Sequence, residues 1–383
     1  MKFRKLFLLL IIATSFKSIG QSCYEVVGYY PSWQWYDRNK LVNPQTIDYS
    51  KYTILNYAFL KPEVDGSISL FDSWADENLL LGQNDWVNGG YVPNTSLISN
   101  AHMNGVKVLP SIGGWTLSNN FPGIAADPTK RATFAQACVD LIQTYGFDGI
   151  DLDWEYPAIS GFPNHRFTPE DKPNFTELIK SLREQLGKKA TITFAAGGFK
   201  KFAEQAVNWS DVMPLINYVN LMTYDLVGGY STVTGHHTPL YSTSKQKESA
   251  DNCIQYLLSI GVPAKKLIMG AAFYARTWEG VIEENNGLYQ KGKFKSFIGF
   301  KDFPARISEK DGFVFYWDAD AQAPYAYNAK EKVYATFDDK QSIEAKTKYV
   351  IKNKLGGIMF WQLGDDNAKN GLLETINTTL HKK

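Results

Sequence analysis

The chain has 383 residues, of which 44% are hydrophobic and 21% are charged, a globular composition that excludes a disordered or fibrous protein. Its 40 Lys and Arg residues nearly balance its 39 Asp and Glu residues, so the bulk charge does not indicate a nucleic-acid-binding protein. The three cysteines are too few and too scattered for a disulfide framework.

Residues 1–20 have the pattern of a secretory signal peptide. Lys2, Arg4 and Lys5 form a basic region, residues 6–13 form an apolar run, and small residues follow at the predicted cleavage site. Because the apolar run is too short to span a bilayer, we expect a secreted or periplasmic protein. Cys23, just after the cleavage site, leaves one alternative, which is a lipid anchor.

Eight short, apolar, β-rich segments recur along the chain, at residues 25–30, 52–60, 106–114, 149–156, 191–198, 218–225, 267–275 and 356–364. Helical patterns lie between many of them, at residues 94–105, 128–146, 169–187, 244–261 and 340–354. Alternating strands and helices indicate a parallel sheet, and near-continuous apolar strands are typical of a sheet covered on both sides. Eight such units favour an α/β fold of the (β/α)8 TIM barrel type. A doubly wound sheet is the alternative, but no glycine-rich phosphate-binding loop follows the first strand.

The last two predicted strands are separated by residues 276–355, many more than one helix requires. Within this stretch, residues 313–337 alternate aromatic and polar side chains with the period of a strand. We therefore predict a small α+β insertion between strands 7 and 8, beside the barrel mouth. The predicted organisation is a signal peptide at 1–20, barrel strands 1–7 within 21–276, the inserted domain at 277–336, and strand 8 with closing helices at 337–383.

The segment FDGIDLDWEYP, residues 147–157, places acidic residues on the predicted fourth strand. Alternate side chains of a strand share a face, so Asp151, Asp153 and Glu155 point together into the barrel. Glu155 lies nearest the C-terminal rim, where barrel enzymes have their active sites. Asp148 is out of phase and is predicted to make a structural hydrogen bond at the start of the strand. Crowded carboxylates share protons, which makes Glu155 the natural general acid.

Metal binding is the competing interpretation of these carboxylates. Three acids in line along one strand do not surround an ion, however, and the adjacent His236 and His237 are interpreted as loop residues. The helical periodicity around Cys138 and Cys253 predicts buried, apolar positions for both cysteines. We therefore expect no metal and no other cofactor.

The DGIDLDWEYP segment resembles the D-x-x-D-x-D-x-E signature of glycoside hydrolase family 18, the chitinases. Other segments resemble motifs on further strands of that family, namely SIGGW (111–115), MTYD (222–225), FYAR (273–276) and MFWQL (359–363). Two positions depart from the usual pattern, with Ala275 where glycine is common and Gln362 where glutamate is frequent. The resemblance covers essentially the whole chain after the signal peptide, including the insertion, and implies the same barrel.

The resemblance implies a role for each residue at a matching position. Glu155 would protonate the leaving glycosidic oxygen, Asp153 would orient and stabilise the 2-acetamido group of the substrate, and Asp151 would hold the proton of Asp153. Tyr224 would donate a hydrogen bond to the acetamido oxygen. The residues implied to line the cleft are Tyr29, Phe59, Trp115, Tyr156, Met222, Asp225, Tyr274, Arg276 and Trp361. For each aromatic residue, core packing is the alternative.

The family's nucleophile is the acetamido oxygen of the substrate, which attacks C1 and forms an oxazolinium ion with overall retention. This route fits Asp153 and Glu155 on one face of a strand, because no opposed nucleophilic carboxylate is needed. The resemblance also implies non-proline cis peptide bonds at Ala58–Phe59, Glu155–Tyr156 and Trp361–Gln362.

The activity implied is hydrolysis of β-1,4 bonds between N-acetylglucosamine units of chitin or its oligosaccharides. The alternatives are an endo-β-N-acetylglucosaminidase acting on N-glycans and a sugar-binding lectin on the same barrel. The predicted insertion favours a long cleft for a linear polymer, and the presence of Glu155, Asp153 and Tyr224 favours an enzyme. We expect a monomer that binds N-acetylglucosamine-containing glycans, without a nucleic-acid partner and without a membrane unless Cys23 carries a lipid.

Overall fold

The computed structural model describes residues 24–36 and 42–382. The predicted signal peptide and Cys23 lie outside these residues, so secretion and lipid anchoring stay predictions. Within the described residues, the strands are β1 (Glu25–Pro31), β2 (Ile54–Pro62), β3 (Ile68–Leu70), β4 (Lys107–Gly113), β5 (Gly149–Asp153), β6 (Thr191–Gly197), β7 (Tyr218–Met222), β8 (Leu267–Ala272), β9 (Tyr274–Glu279), β10 (Lys293–Gly299), β11 (Val314–Asp318), β12 (Ala323–Asn328), β13 (Val333–Thr336) and β14 (Gly357–Trp361). The α-helices are α1 (Ser73–Leu80), α2 (Leu97–Met103), α3 (Phe121–Ala126), α4 (Pro128–Tyr145), α5 (Asp171–Leu186), α6 (Lys200–Gln205), α7 (Trp209–Val212), α8 (Ala250–Ser259), α9 (Phe303–Arg306), α10 (Lys340–Lys352) and α11 (Leu372–His381).

Eight parallel strands form a closed barrel, in the circular order β1, β2, β4, β5, β6, β7, β8 and β14. The predicted (β/α)8 barrel is therefore confirmed. Every residue of β6 and β8 is buried, as expected for strands that have side chains on one face and helices on the other. The short β3 adds to the outside of the ring by antiparallel pairing with β2.

The side chains of β5 alternate as the sequence predicts. Ile150 and Leu152 are fully buried on the helix side, and the Trp154 ring stacks on Phe121 of α3 at 5.5 Å and contacts Phe175 of α5 at 6.1 Å. These apolar contacts fix the rotation of β5 and direct the alternate carboxylates into the barrel.

The start of β5 is held by Asp148. Its Oδ2 accepts the backbone N–H of Val108 at 2.8 Å and lies 2.9 Å from Nε2 of His102, which confirms the predicted structural hydrogen bond. Cys138 and Cys253 are fully buried free thiols inside helices, as predicted.

The predicted strand 267–275 is wrong at its C-terminal end. The chain leaves the barrel at Phe273, whose backbone N–H donates to Trp361 while its carbonyl accepts from Phe300, and it then continues as β9. The apolar pattern runs through this point without a break and therefore gives no sign of the change of sheet.

A second sheet contains five antiparallel strands in the order β10, β9, β13, β12 and β11. It starts at Tyr274, three residues before the predicted insertion, and ends at Thr336. The predicted domain boundaries otherwise stay predictions. None of the helices in residues 24–36 and 42–382 combines the length and hydrophobicity needed to cross a membrane.

Candidate active site

Asp151 lies fully buried inside the barrel, where four side chains donate hydrogen bonds to it. Oδ2 accepts from Tyr29 at 2.9 Å and from Ser111 at 2.8 Å, and Oδ1 accepts from Thr193 at 2.5 Å and from Asn220 at 3.1 Å. Ser111 and Thr193 are its partners on the strands either side, which explains why both hydroxyls reach it. Burial raises the pKa of Asp151, while these donors oppose the rise by stabilising its ionised form.

Asp153 lies two residues further along β5 and is 3% exposed. No hydrogen bond from the described residues reaches its buried Oδ1. Burial, and then the charges of Glu155 and Asp151, raise the pKa of Asp153 well above its usual range. Four hydrogen-bond donors already surround Asp151, and its implied role of holding the proton of Asp153 stays a prediction.

Gly113 at the end of β4 allows this close packing. Its φ is +110°, and a Cβ atom there would lie 2.2 Å from the carbonyl oxygen of Asp153. No other residue type fits that space. The glycine of the SIGGW segment thus brings β4 against the strand that carries the acids.

Glu155 lies just beyond the end of β5, because the predicted strand 149–156 ends at Asp153. The hydroxyl of Ser118 replaces the missing strand partner: it accepts the backbone N–H of Glu155 at 2.9 Å and lies within donating distance of the carbonyl oxygens of Gly114 and Asp153. Burial raises the pKa of Glu155 to about 7, with a smaller contribution from the charge of Asp225. Such a carboxyl group keeps its proton near neutral pH and can donate it.

Asp225 lies close enough for its charge to act on Glu155, and it is bound by Arg276. The guanidinium donates to both carboxylate oxygens, from Nε at 2.8 Å and from the terminal nitrogen at 2.6 Å. Removal from water opposes ionisation, but Arg276 dominates and lowers the pKa of Asp225 below its usual range. Nδ1 of the buried His237 lies 3.6 Å from Asp225. Asp225 is therefore a fixed negative charge beside the general-acid candidate.

Tyr224 and Met222 lie at the end of β7, next to the acids. Burial, followed by the charges of Asp153 and Glu155, raises the pKa of the Tyr224 hydroxyl well above its usual range, so this phenol stays a hydrogen-bond donor. Met222 belongs to a small cluster of buried apolar residues inside the barrel, and Tyr224 packs against the same cluster. The structure thus brings both predicted residues to the carboxylates.

Aromatic rings form the floor of the cleft. Trp361 stacks on Phe59 at 5.6 Å with an interplanar angle of 13°, and it contacts Tyr29 at 5.8 Å and Trp33 at 6.1 Å. Trp361 and Phe59 are half-buried, whereas Tyr29 is buried beneath them and also bonds Asp151. Flat, partly open rings beside carboxylates are suited to a sugar ring with apolar faces and polar edges.

A second aromatic group lies around Trp115, just beyond the C-terminal end of β4. This ring contacts Tyr156 at 6.2 Å, Phe162 at 5.9 Å and the exposed Tyr230 at 6.3 Å. Tyr274, by contrast, is 1% exposed and stacks on Phe297 at 4.7 Å. In this conformation it supports Arg276, whose guanidinium lies 5.2 Å from its ring, and it offers no free face.

Sequence reasoning missed Ser118, Trp33 and Tyr230. Trp33 follows the first strand in GYYPSW, and this position could have indicated a cleft residue, because the C-terminal ends of the barrel strands meet at one rim. Ser118 begins a short 3₁₀ helix and Tyr230 lies in a loop, and neither shows a recognisable sequence pattern. Non-proline cis peptide bonds are present at all three predicted positions, Ala58–Phe59, Glu155–Tyr156 and Trp361–Gln362.

No group of three or more His, Cys, Asp or Glu side chains in the described part of the chain is arranged to hold a metal ion. The candidate site combines crowded carboxylates, a phenol and aromatic rings. It can donate a proton from Glu155, stabilise positive charge next to Asp153 and stack a sugar on Trp361. The roles themselves stay predictions.

Comparison with known proteins identifies the family to which these features belong. A family model described as Glycosyl hydrolases family 18 matches residues 25–366. Chitinase A1 of Niallia circulans is 33% identical over 402 residues, which cover 90% of this chain and 57% of that protein. Chitinase 1 of Aphanocladium album is 30% identical over 372 residues, which cover 92% of this chain and 83% of that protein.

The same likeness holds in three dimensions. The solved structure of Chitinase ChiA74 from Bacillus thuringiensis superposes with a TM-score of 0.84 at 30% identity, covering 94% of this chain and 70% of the other. This chain spans little more than half the length of the Niallia circulans relative.

Proposed function

This chain belongs to glycoside hydrolase family 18, and from that premise we propose that it is a chitinase. It hydrolyses β-1,4 bonds between N-acetylglucosamine units of chitin or chitin oligosaccharides. The observation that carries the proposal is the pairing of Glu155, whose pKa burial raises to about 7, with the buried Asp153 beside an aromatic floor. A sugar lying on Trp361 meets both groups from the same side.

Glu155 is proposed to start the reaction by protonating the glycosidic oxygen. Its pKa of about 7 lies close to neutral pH, and a general acid is most effective when its pKa is close to the working pH. The negative charge of Asp225 favours the protonated form of Glu155. Arg276 lowers the pKa of Asp225, so Asp225 does not take up the proton itself.

The acetamido oxygen of the sugar is proposed as the nucleophile. A two-carboxylate mechanism needs a free carboxylate opposite the acid, but Asp225 is held bidentately by Arg276 and Asp151 is saturated by four donors. Asp153 and Tyr224 are then available to the acetamido group. The tyrosine donates to the attacking oxygen, and Asp153 stabilises the positive charge on nitrogen as the oxazolinium ion forms.

A linear polymer is favoured as substrate by rings outside the barrel mouth. Trp33 is 42% exposed, and the nearby pair Trp74 and Trp86, 6.1 Å apart, are 47% and 80% exposed. Tyr36, three residues after Trp33, donates to Asp72 at the start of α1, which joins the two groups on the surface. Exposed apolar surface of this kind is typical of a binding site, and its position outside the barrel mouth suits a substrate longer than the sugar at the carboxylates.

Hydrolysis of a chitin tetramer compared with a high-mannose glycopeptide tests the proposed substrate. We expect the purified protein to release N-acetylglucosamine oligomers from the tetramer and to leave the glycopeptide intact. Preferential cleavage of the glycopeptide would identify an endo-β-N-acetylglucosaminidase instead. Binding of the tetramer without any cleavage would identify a lectin.

Replacing Trp361 by Ala should raise KM and lower kcat together. The ring forms the floor beneath the reacting sugar, and losing its stacking is expected to raise KM about tenfold, on the order of 1.4 kcal/mol. Steady-state kinetics on the tetramer measure both constants. Trp209→Phe is the control, because Trp209 is buried on the outside of the barrel and should affect the melting temperature alone. Unchanged kinetics with a large loss of Tm in Trp361→Ala would show that Trp361 is only a core residue.

A further inference from the structure

Two hydrogen bonds bracket the pair Tyr224–Asp225. On one side, the hydroxyl of Thr238 donates to the carbonyl oxygen of Thr223 at 3.0 Å. On the other side, the backbone N–H of Leu226 donates to the carbonyl oxygen of His237 at 3.0 Å. The carbonyl of Thr223 belongs to the same planar peptide group as the nitrogen of Tyr224. The hydrogen bond from Thr238 therefore orients this peptide plane and, with it, the backbone to which the Tyr224 side chain is attached.

The backbone between these two bonds is in an unusual conformation. Asp225 has a φ of +56°, in the left-handed region that non-glycine residues rarely adopt. Such a conformation persists only where the surrounding structure holds it in place. The two bracketing hydrogen bonds, together with the grip of Arg276 on the Asp225 side chain, provide that restraint.

Thr238 is in turn oriented by a buried ion pair. Nζ of Lys346 on α10 donates to the Thr238 hydroxyl and, at 2.6 Å, to Oδ2 of Asp338. Asp338 also accepts the backbone N–H of Ala272 at 3.0 Å and the hydroxyl of Ser342 at 2.7 Å. The Lys346 and Asp338 side chains are completely buried.

The ammonium group determines the direction of the Thr238 hydrogen bond. A hydroxyl has one proton, and Thr238 accepts from Lys346, which can only donate. Its proton is therefore free for the carbonyl of Thr223, at 3.0 Å, rather than for Asp338, which lies farther away at 3.3 Å.

A buried ion pair is weak evidence for stability alone, because the cost of removing two charges from water offsets their attraction. The location of this one is informative. It connects helix α10 and the end of β8 to the loop that carries Tyr224 and Asp225. We infer that Thr238, oriented by Lys346 and Asp338, is a positioning residue for Tyr224 and Asp225. The inference rests on the proposed function, since it states how those two residues are held for the reaction.

Thr238→Val tests the inference, because valine has the shape of threonine without its hydroxyl. We expect kcat on the chitin tetramer to fall by about 10–100-fold, in line with the cost of small misplacements of reacting groups. Thr238→Ser keeps the hydroxyl and should restore most of kcat. Thr347→Val is the matched control: Thr347 is equally buried on α10, but its hydroxyl donates to the carbonyl of Ile343 in its own helix and, among the described residues, to no group of the site. The Thr347→Val variant should keep the wild-type kcat even if its Tm falls.

A double-mutant cycle with Tyr224→Phe separates positioning from general destabilisation. If Thr238 acts through Tyr224, then Thr238→Val should cost much less in the Tyr224→Phe protein than in the wild type. Equal costs in both backgrounds, or equal losses in Thr347→Val, would overturn the inference. A wild-type protein inactive on the tetramer would instead refute the proposed function. Hydrogen exchange of residues 222–226 then still tests the restraint: faster exchange in Thr238→Val than in Thr347→Val supports it, and equal exchange overturns it.

Discussion

Glu155→Gln should abolish hydrolysis of the chitin tetramer, with a loss in kcat of about 10²–10⁴-fold, the usual contribution of a general acid. The amide has the size and shape of the carboxyl group but no proton of suitable acidity for the leaving oxygen. The Ser118 hydroxyl holds the backbone of Glu155 and not its side chain, so the substitution leaves that support in place. Sugar binding and folding should therefore persist.

Asp148→Asn is the matched control for this variant. Asp148 belongs to the same acidic segment but supports the start of β5, through Val108 and His102, far from the cleft rim. We expect Asp148→Asn to keep its activity and to lose some thermal stability. A Glu155→Gln protein with wild-type turnover on the tetramer would show that another group is the acid.

The pH dependence of the wild-type enzyme provides an independent check on Glu155. Its pKa is raised to about 7, chiefly by burial. The proposed reaction needs the protonated form, so kcat/KM should fall as the pH rises through about 7. A profile measured from about pH 5 to about pH 9 shows this limb. A rate that stays constant across the alkaline half of that range would be inconsistent with Glu155 as the acid.

Asp153→Asn should cost about 10²–10³-fold in kcat, although it should hardly affect folding. Burial and the neighbouring carboxylates Glu155 and Asp151 raise the pKa of Asp153, and asparagine matches its size and shape but cannot carry a negative charge. The loss appears only when positive charge develops on the acetamido nitrogen and a carboxylate must stabilise it. Asp151→Asn should lower Tm as well as kcat. Asp151 accepts four side-chain hydrogen bonds, and an amide there would leave some of these buried donors unpaired.

The substrate-assisted mechanism also predicts which substrate is inert and which anomer of the product forms first. A fully deacetylated oligomer should be inert, because it has no carbonyl oxygen to attack C1. The first product should be the β anomer, because two inversions give retention. An NMR time course on the tetramer reads the anomer before mutarotation. Initial α product, or rapid cleavage of fully deacetylated chitosan, would refute the substrate-assisted mechanism.

The period of the fourth strand was enough to predict which way its acidic side chains point, whereas Tyr224, Asp225 and Trp361 were implied only by the family resemblance. The alternation of Ile150, Leu152 and Trp154 with the acids determines which face of β5 is covered by helices, and the carboxylates must then face inward. Eight buried strands with intervening helices leave few arrangements other than a closed barrel. Both inferences depend on repeated local patterns, which a single sequence displays directly.

The tertiary structure decided the features that depend on single contacts between distant residues. Lys346 and Thr238 are 108 positions apart, and Glu155 and Ser118 are 37 apart, yet one hydrogen bond in each pair supports the proposed site. A lone lysine, threonine or serine has no period, and its partner is chosen by the packing of whole elements. The transition from β8 to β9 at Phe273 was also decided by the tertiary structure. Both sheets bury apolar residues there, so only the backbone hydrogen bonds show where one strand ends and the next begins.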